Sequence, residues 1–287
     1  MNSIPRFGSL SRLPNRWGLA VIALLVALLV PLGGCSSSKY LTVRKTPRNP
    51  LEGPLNLLSR KGPKPTDRTI QTLRRYDLDE LQEEDPDAVL TKLLEETEAE
   101  PTADKIHAFA ELAYIGAYKA DALADDSRAL NLYGAAVFYA YDFLFDPAYD
   151  SGRNPYDPQF RRACDLYNGA LEAAMRLAQK NGQLLPGESL VVDTGSEKIE
   201  ISIMTRGSWP PECFERLEFA SDFQITGLNN HHHSYGLGVP LIAVRQPADP
   251  DAPAEKYYMD KLSFPVTAFL RVVRGHADAE GRTARQC

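Results

Sequence analysis

The sequence predicts an α+β protein, in which an N-terminal helical bundle is followed by a small, mostly antiparallel β-sheet. Apolar residues recur at intervals of three and four through residues 66–182, as they do on helices that share a core. After Pro186 the pattern changes to short runs rich in β-branched and apolar residues, which is typical of strands. Helices first and strands afterwards is the order of an α+β plan.

Residues 1–34 have the features of a secretory signal peptide. Three arginines and no acids precede a fifteen-residue apolar run over residues 18–32, which is shorter than a bilayer-spanning helix. The run ends in Leu32-Gly33-Gly34-Cys35, which resembles the bacterial lipobox. The resemblance implies that Cys35 is lipidated and becomes the first residue of the mature chain. The alternative is an ordinary N-terminal membrane anchor with an accidental cysteine.

Cleavage before Cys35 changes the charge of the chain and indicates its location. The whole chain has 287 residues and a net charge of −6; cleavage removes three arginines and no acids, which leaves 253 residues and −9. Binding to nucleic acid requires basic surface, so this acidic chain is a poor candidate for a nucleic-acid-binding protein. We expect membrane lipid as a partner through Cys35, protein partners in addition, and a location in the bacterial cell envelope, facing the periplasm or the exterior.

Three further cysteines would then lie in an oxidising compartment, where one disulfide can form. Cys287 sits in a polar tail, so Cys164 and Cys213 are the candidate pair.

Two segments of opposite charge come between the signal peptide and the central helices. Residues 35–65 contain five prolines and seven basic residues against one acid, and we expect a disordered tether, because such a stretch buries little apolar surface. One interpretation is that its basic residues lie near anionic headgroups once the chain is tethered. The alternative is that the segment is a soluble spacer. Residues 77–104 contain twelve acids and one base, with leucines at helical spacing. This pattern indicates solvated helical faces rather than a metal-binding cluster.

The helical domain is expected over residues 66–185 and has three main helices. They are expected from Pro101-Thr102 to Ala120, from about Ser127 to Phe145 and from about Asp157 to Lys180. The second of these is apolar nearly all round, which predicts that it is the central helix.

The β-rich domain is expected over residues 186–275, before a polar tail at 276–287. Two runs form a hairpin around Thr194-Gly195-Ser196. The predicted strands are Ser189–Asp193, Lys198–Ile203, Phe219–Ile225, Val239–Val244 and Phe264–Val273.

The sequence contains none of the short motifs that announce catalysis or a cofactor. Gly-x-Ser-x-Gly, a phosphate-binding glycine loop, Cys-x-x-Cys and His-Glu-x-x-His are all absent. Neighbouring side chains diverge, so the triplet His231–His233 is interpreted as a polar turn rather than a metal site. His107 lies on an amphipathic helix and is given a structural role. We therefore expect no cofactor, no metal and no catalytic residue.

The segment Ser221–Leu241, with the sequence SDFQITGLNNHHHSYGLGVPL, resembles a segment of exported bacterial α/β-hydrolase-like proteins. Pro265–Arg271 and the helix around Tyr167-Asn168 resemble the same group, and the similarity covers roughly residues 100–275. The motif residues are Gly227, Leu228, Asn229, His231, Tyr235, Gly236, Gly238 and Pro240. In that group this region precedes the hydrolase core, so no catalytic residue can be carried over to this chain. The three glycines are expected at turns with positive φ or at close backbone contacts.

The functional hypothesis is a lipid-anchored, non-catalytic accessory module related to the upstream region of those proteins. One alternative is a helical-repeat-like interaction scaffold, since residues 102–145 form a helix pair of tetratricopeptide-like size, although no second copy follows. Others are a truncated lipase- or esterase-related protein and an enzyme whose scattered site no motif exposes.

Overall fold

The structure is a computed structural model that describes residues 40–182, 189–193, 198–202, 213–227, 236–246, 251, 253, 255–259 and 262–270. The signal peptide with Cys35, the turn Thr194-Gly195-Ser196, the histidines His231–His233 and the polar tail 276–287 lie outside these residues.

Within the described residues six α-helices precede most of the strands, and the predicted α+β class is confirmed. The helices are α1 (Asp67–Arg75), α2 (Asp79–Glu84), α3 (Pro86–Ala99), α4 (Ala103–Ala122), α5 (Asp126–Phe145) and α6 (Pro158–Asn181). The strands are β1 (Leu41–Val43), β2 (Ser189–Asp193), β3 (Lys198–Ser202), β4 (Phe214–Phe219), β5 (Phe223–Ile225), β6 (Val239–Arg245) and β7 (Ser263–Ala268).

Short polar side chains determine where four of the helices begin. Each accepts a hydrogen bond from a backbone N–H group of the first turn, which a helix leaves without an internal partner. These N-cap residues are Asp85 before α3, Thr102 before α4, Asp125 before α5 and Asp157 before α6. The predicted starts of the three long helices therefore agree with the structure to within two residues.

The central helix of the bundle is α4, and the prediction that α5 holds this position is wrong. Helix α4 packs against α1, α3, α5 and α6, whereas α5 leaves Phe138 and Phe145 exposed to solvent. The physical reason is the many alanines of α4, which allow neighbouring helices to approach on every side. On α5, Tyr133 and Phe143 are buried, and Phe138 and Phe145 are the aromatic residues that face solvent.

The expected disordered tether is corrected by the structure for residues 44–65. Leu51, Leu55 and Leu57 are buried in the same core cluster as the helices. Asn49 Nδ2 donates a hydrogen bond to the hydroxyl of Tyr114 on α4 at 2.8 Å, and Asn49 Oδ1 accepts one from Leu51 N–H at 2.9 Å. The three leucines supply apolar surface that the count of prolines and charges concealed.

Strands β4, β6 and β7 form an antiparallel sheet in the order β4-β6-β7. Phe219 is opposite Leu241, and Val239 is opposite Ala268. Buried side chains of β4 and β6 belong to the same core cluster as the helices, so the expected division into domains 66–185 and 186–275 does not separate two cores. The described parts of 44–223 and 236–270 instead form one compact unit.

The remaining strands form two pairs. Strands β2 and β3 pair antiparallel with Ser189 opposite Ser202, as the predicted hairpin requires. The predicted strand Phe219–Ile225 is wrong in its bounds, because a 3₁₀ turn over Ala220–Asp222 ends β4 before β5 begins. Strand β1 pairs with β5, and Thr226 N–H donates to the Tyr40 carbonyl at 2.8 Å. Residues 40–43 and 224–227 belong to a small separate unit.

Candidate functional site

The candidate site is the end of the sheet at which β6 begins and β7 ends. Asn168 on α6 binds the backbone that leads into β6 with both ends of its side-chain amide. Nδ2 donates to the Gly236 carbonyl at 3.0 Å, and Oδ1 accepts from Gly238 N–H at 2.6 Å. The amide therefore holds the residues on either side of Leu237 in one conformation.

Tyr167, the preceding residue on α6, binds the backbone that leaves β7. Its hydroxyl donates to the Leu270 carbonyl at 2.6 Å and accepts from Leu270 N–H at 2.8 Å. Burial raises the pKa of Tyr167 to about 12, which keeps the hydroxyl protonated at neutral pH. We call Tyr167 and Asn168 with their backbone partners the α6 clamp.

The α6 clamp joins three segments that are far apart in the sequence. These are the Tyr167-Asn168 helix, the described part of the glycine motif at 236–240 and the run from Pro265 to Leu270. Because β6 and β7 are antiparallel neighbours, the start of one strand lies beside the end of the other. Residues of the three segments are therefore in contact in the folded chain.

Gly238 is a position at which the fold requires glycine. Its φ is +110°, and a Cβ atom there would lie 2.7 Å from the Ala268 carbonyl oxygen and 2.6 Å from Thr267 Cγ2. Gly227, with φ +75°, also has a positive φ, whereas a Cβ on Gly236 would have no atom of the described residues within 4 Å. The expectation for the motif glycines is therefore confirmed for Gly227 and Gly238 and is not met at Gly236.

The other predicted site residues have different outcomes. Pro240 lies in β6 opposite Thr267 and is exposed. The motif residues Leu228, Asn229, His231 and Tyr235 lie outside the described residues, as does Cys35.

The candidate disulfide is not formed in the structure, in which Cys164 and Cys213 are both free. Cys213 precedes β4, and its carbonyl accepts from Gln246 N–H just after β6. The hydrogen bonds of α6 to the sheet region are at the opposite end, at Ser221–Asp222 and Gly236–Gly238. A disulfide needs Cα atoms within about 7 Å, which this arrangement of the two cysteines opposes.

Beside the α6 clamp, aromatic side chains form a partly exposed cluster. Phe269 lies with its ring centroid 5.6 Å from that of Tyr167 and 6.5 Å from that of Phe145. Phe269 and Phe145 are each 47% exposed. The cluster therefore combines buried anchoring at Tyr167 with apolar surface that faces water.

A second polar group of residues lies inside the bundle, where Glu111 of α4 meets the start of α1. Glu111 Oε1 accepts from Thr66 N–H at 2.5 Å, and Oε2 accepts from the Thr66 hydroxyl at 3.0 Å. Burial raises the pKa of Glu111, and the hydrogen bonds from Thr66 oppose that rise. The carboxyl group thus caps a helix whose own N-cap side chain, that of Thr66, accepts no hydrogen bond from a described backbone N–H group of the first turn.

His107 lies one helical turn before Glu111 and is also buried. Its Nε2 has no hydrogen-bond partner among the described residues, and its ring meets Phe143 edge-on at 5.5 Å. Burial, together with the positive charges of Arg162 and Arg68, lowers the pKa of His107 to about 3. His107 is therefore a neutral core residue, in agreement with the structural role expected for it.

The polar side chains described above form hydrogen bonds to neighbouring elements of the fold. The side-chain amide of Asn168 and the hydroxyl of Tyr167 hold backbone atoms, and Glu111 holds Thr66. Within the ranges that the structure covers, no three His, Cys, Asp or Glu side chains are grouped so that they could hold a metal ion.

The sequence analysis did not identify the buried charged residues of α4. Lys105 is fully buried and donates to the carbonyls of Glu96 at 2.9 Å and Glu100 at 3.0 Å, at the end of α3. The signal that could have found Lys105 and Glu111 is the distribution of alanines around α4. Small residues on every face predict burial on every face, so charged residues between them must have internal partners.

Comparisons with protein-family models, with curated proteins and with solved structures find no match to this chain. In the described part of the chain, no helix has the length and apolarity needed to cross a membrane.

Proposed function

We propose that this chain is a lipid-anchored protein of the bacterial cell envelope whose folded part is a non-catalytic accessory module. The observation that carries the proposal is the sequence Leu32-Gly33-Gly34-Cys35 after a basic region and a short apolar run. The thiol of Cys35 is the group to which a diacylglyceryl chain would be attached through a thioether. The small residues before it fit the requirement of the signal peptidase.

The structure supports the non-catalytic part of the proposal through the use of its polar side chains. At the α6 clamp, Asn168 binds Gly236 and Gly238, and Tyr167 binds Leu270. A general acid or base must have an accessible proton and a pKa near the working pH, and the raised pKa of Tyr167 opposes that role. These residues are suited to holding on the bundle the backbone that leads into β6 and the backbone that leaves β7.

Metabolic labelling tests the lipid anchor. The whole chain is expressed in a bacterium supplied with an alkyne-bearing fatty acid, and the labelled protein is detected in the membrane fraction. We expect the label on the native chain and its complete loss in the Cys35→Ser variant. The matched control is Cys287→Ser, which keeps the label. An unlabelled native chain, or a labelled Cys35→Ser chain, would contradict the proposal.

A fluorophosphonate probe for serine hydrolases tests the absence of catalysis. The purified chain is expected to remain unlabelled under conditions in which an added esterase is labelled. Covalent modification of any serine, located by mass spectrometry of peptides, would show an activated nucleophile and would exclude the non-catalytic proposal.

A second candidate function, a protein-interaction scaffold, is favoured by the exposed aromatic residues of α5. Phe138 is 38% exposed and Phe145 is 47% exposed, and they lie two turns apart on one helix. If this face binds a protein, a partner co-purifies with the native chain and is lost when both residues are changed to serine. Leu123→Ser, at a site 82% exposed near the end of α4, is the control that retains the partner. Equal recovery of the partner with both variants would exclude this face.

A further inference from the structure

A loop of ten residues near the start of the folded part has the composition of a membrane-contacting element. Lys64 N–H donates to the Leu55 carbonyl at 2.9 Å and closes the segment 55–64, which we call the basic loop. Ser59 N–H donates to Asn56 O at 2.9 Å inside it. Leu55 and Leu57, near the start of the basic loop, are buried, so this end of the loop is attached to the core.

The exposed side chains of the basic loop combine one large apolar group with three cations. Leu58 is 73% exposed, and Arg60, Lys61 and Lys64 are exposed. The loop contains no acid. Its three cations form no ion pair with any residue that the structure describes, whereas Arg68 and Lys180 each pair with two aspartates.

An exposed leucine beside three cations suits a bilayer surface, which provides both an apolar boundary and anionic headgroups. An exposed leucine gains by entering the boundary between headgroups and acyl chains, and unpaired cations gain by approaching anionic headgroups. The same side chains facing only water would leave apolar surface exposed at the tip of an ordered loop.

We propose that the basic loop docks on the surface of a bilayer containing anionic phospholipid, with Leu58 inserted and Arg60, Lys61 and Lys64 beside the headgroups. This inference rests on the proposed lipid anchor. The ten residues from Cys35 to Arg44 are joined by nine peptide links and can span at most about 30 Å, so lipidation keeps the beginning of the folded part near the membrane. Lys45 and Arg48, which follow at once, are also exposed.

The charge of the rest of the chain favours a lipid surface over other polyanions and gives the docking a direction. Residues 77–104 carry twelve acids and one base, so an anionic surface repels this segment while it attracts the basic loop. A mature chain with a net charge of −9 would be repelled by free nucleic acid, to which no lipid anchor holds it. The bilayer is the anionic surface that the anchor brings close.

The experiment uses the full chain, purified from bacterial membranes and reconstituted into vesicles, with Leu58→Trp as the probe. Vesicles contain either phosphatidylcholine alone or phosphatidylcholine with about one third phosphatidylglycerol, and in both some acyl chains are brominated. Bromine quenches tryptophan only at close range, so quenching reports insertion at residue 58. The same measurement with native Leu58 subtracts the contribution of Trp209, the native tryptophan of the mature chain.

We expect quenching in the anionic vesicles, little in the neutral ones, and a loss of quenching at high salt. The triple variant Arg60→Glu, Lys61→Glu, Lys64→Glu should reduce the docked fraction at least about tenfold, since one basic residue near an anionic surface contributes roughly a fivefold change in partitioning. The matched control changes three exposed lysines elsewhere, Lys92, Lys119 and Lys256, to glutamate and keeps the quenching. Circular dichroism confirms that all variants are folded.

Each other outcome overturns a defined statement. Equal quenching in both vesicles, or an equal loss in the control triple, would exclude docking by the basic loop. Binding of duplex DNA by the detergent-solubilised chain, lost in the loop triple while residue 58 stays unquenched by anionic vesicles, would assign the loop to polyanions in general and overturn the bilayer. A chain without a lipid label that still shows loop-dependent quenching would contradict the proposed function while the inference stands.

Discussion

Helices α4 and α6 both use polar side chains to hold other elements by their backbone, but the side chains differ in charge. On α4, Lys105 binds the carbonyls of Glu96 and Glu100 at the end of α3, and Glu111 binds Thr66 at the start of α1. On α6, the neutral residues Tyr167 and Asn168 bind backbone beside β6 and β7.

The difference follows from what each partner presents. A helix end presents several groups of one kind, carbonyls at the C-terminus or N–H groups at the N-terminus, with a partial charge that an opposite full charge satisfies. A chain beside a strand presents both an N–H and a carbonyl, and one side chain that donates and accepts can satisfy the pair. In these backbone contacts, charge on α4 and neutrality at the α6 clamp are therefore matched to helix ends and strand ends, whereas the charged Arg176 of α6 pairs with a side chain, that of Asp222.

The largest effect is expected when the charged contact at α1 is removed. Glu111→Ala leaves the Thr66 N–H and hydroxyl without their acceptor and opens a cavity, so the free energy of unfolding in urea should fall by about 4 kcal/mol. Glu111→Gln keeps a carbonyl acceptor and should cost about 1–2 kcal/mol. Similar losses for the two variants would show that packing, rather than hydrogen bonding, sets the importance of this position.

The next effect concerns the backbone that the α6 clamp holds. Gly238→Ala places a Cβ 2.7 Å from the Ala268 carbonyl at a φ of +110°, which should destabilise the fold by about 3 kcal/mol. Gly236→Ala, two residues away and with no described atom within 4 Å of the added Cβ, is the control and should cost less than about 0.5 kcal/mol. Equal midpoints of urea unfolding for the two variants would contradict the close approach of β6 and β7 at this point.

The sequence alone predicts the local features of this fold but not which elements meet. Periodicity predicts α4, α5 and α6 and the strands β2, β3 and β6 because each is a local pattern. The position of α4 at the centre and the burial of Leu51 depend on which elements meet, and a local pattern does not contain that information. The α6 clamp shows the same limit. Tyr167 and Asn168 were noted through a resemblance, but their partners lie 103 and about 70 residues away along the chain.

A smaller effect is expected from the neutral side chains of the α6 clamp. Asn168→Ala removes two hydrogen bonds to backbone, at Gly236 and Gly238, and should lower the free energy of unfolding by about 2 kcal/mol. Tyr167→Phe keeps the ring among its aromatic neighbours and removes only the contacts to Leu270, for about 1 kcal/mol. Asn168→Asp is the informative control. If neutrality matters, the aspartate, which cannot donate to Gly236 O, restores less than half of the loss.

The smallest effect at neutral pH, and the most diagnostic at low pH, is expected at His107. Its pKa is lowered to about 3 in the folded chain, so between about pH 6.5 and pH 3 the unfolded chain binds a proton that the folded chain does not. The free energy of unfolding therefore falls as the pH falls, by up to about 1.4 kcal/mol per pH unit. His107→Leu removes this dependence and leaves no buried nitrogen without a partner.

The pH dependence of stability near His107 depends on the charges around it and on the carboxyl group of Glu111. Arg162 and Arg68 oppose the proton on His107, and Asp104 and Asp157 favour it. The raised pKa of Glu111 acts in the opposite direction, because its folded form takes up a proton at higher pH than its unfolded form. When the free energy of unfolding of the native chain is subtracted from that of His107→Leu at each pH, the contribution of Glu111 cancels because both chains share it. The stability advantage of the variant should be small at pH 7.5 and should grow by about 1 kcal/mol between pH 6 and pH 5. Parallel pH profiles would mean that His107 is protonated inside the bundle, and the rule that α4 places its charged groups at helix ends would then need an exception.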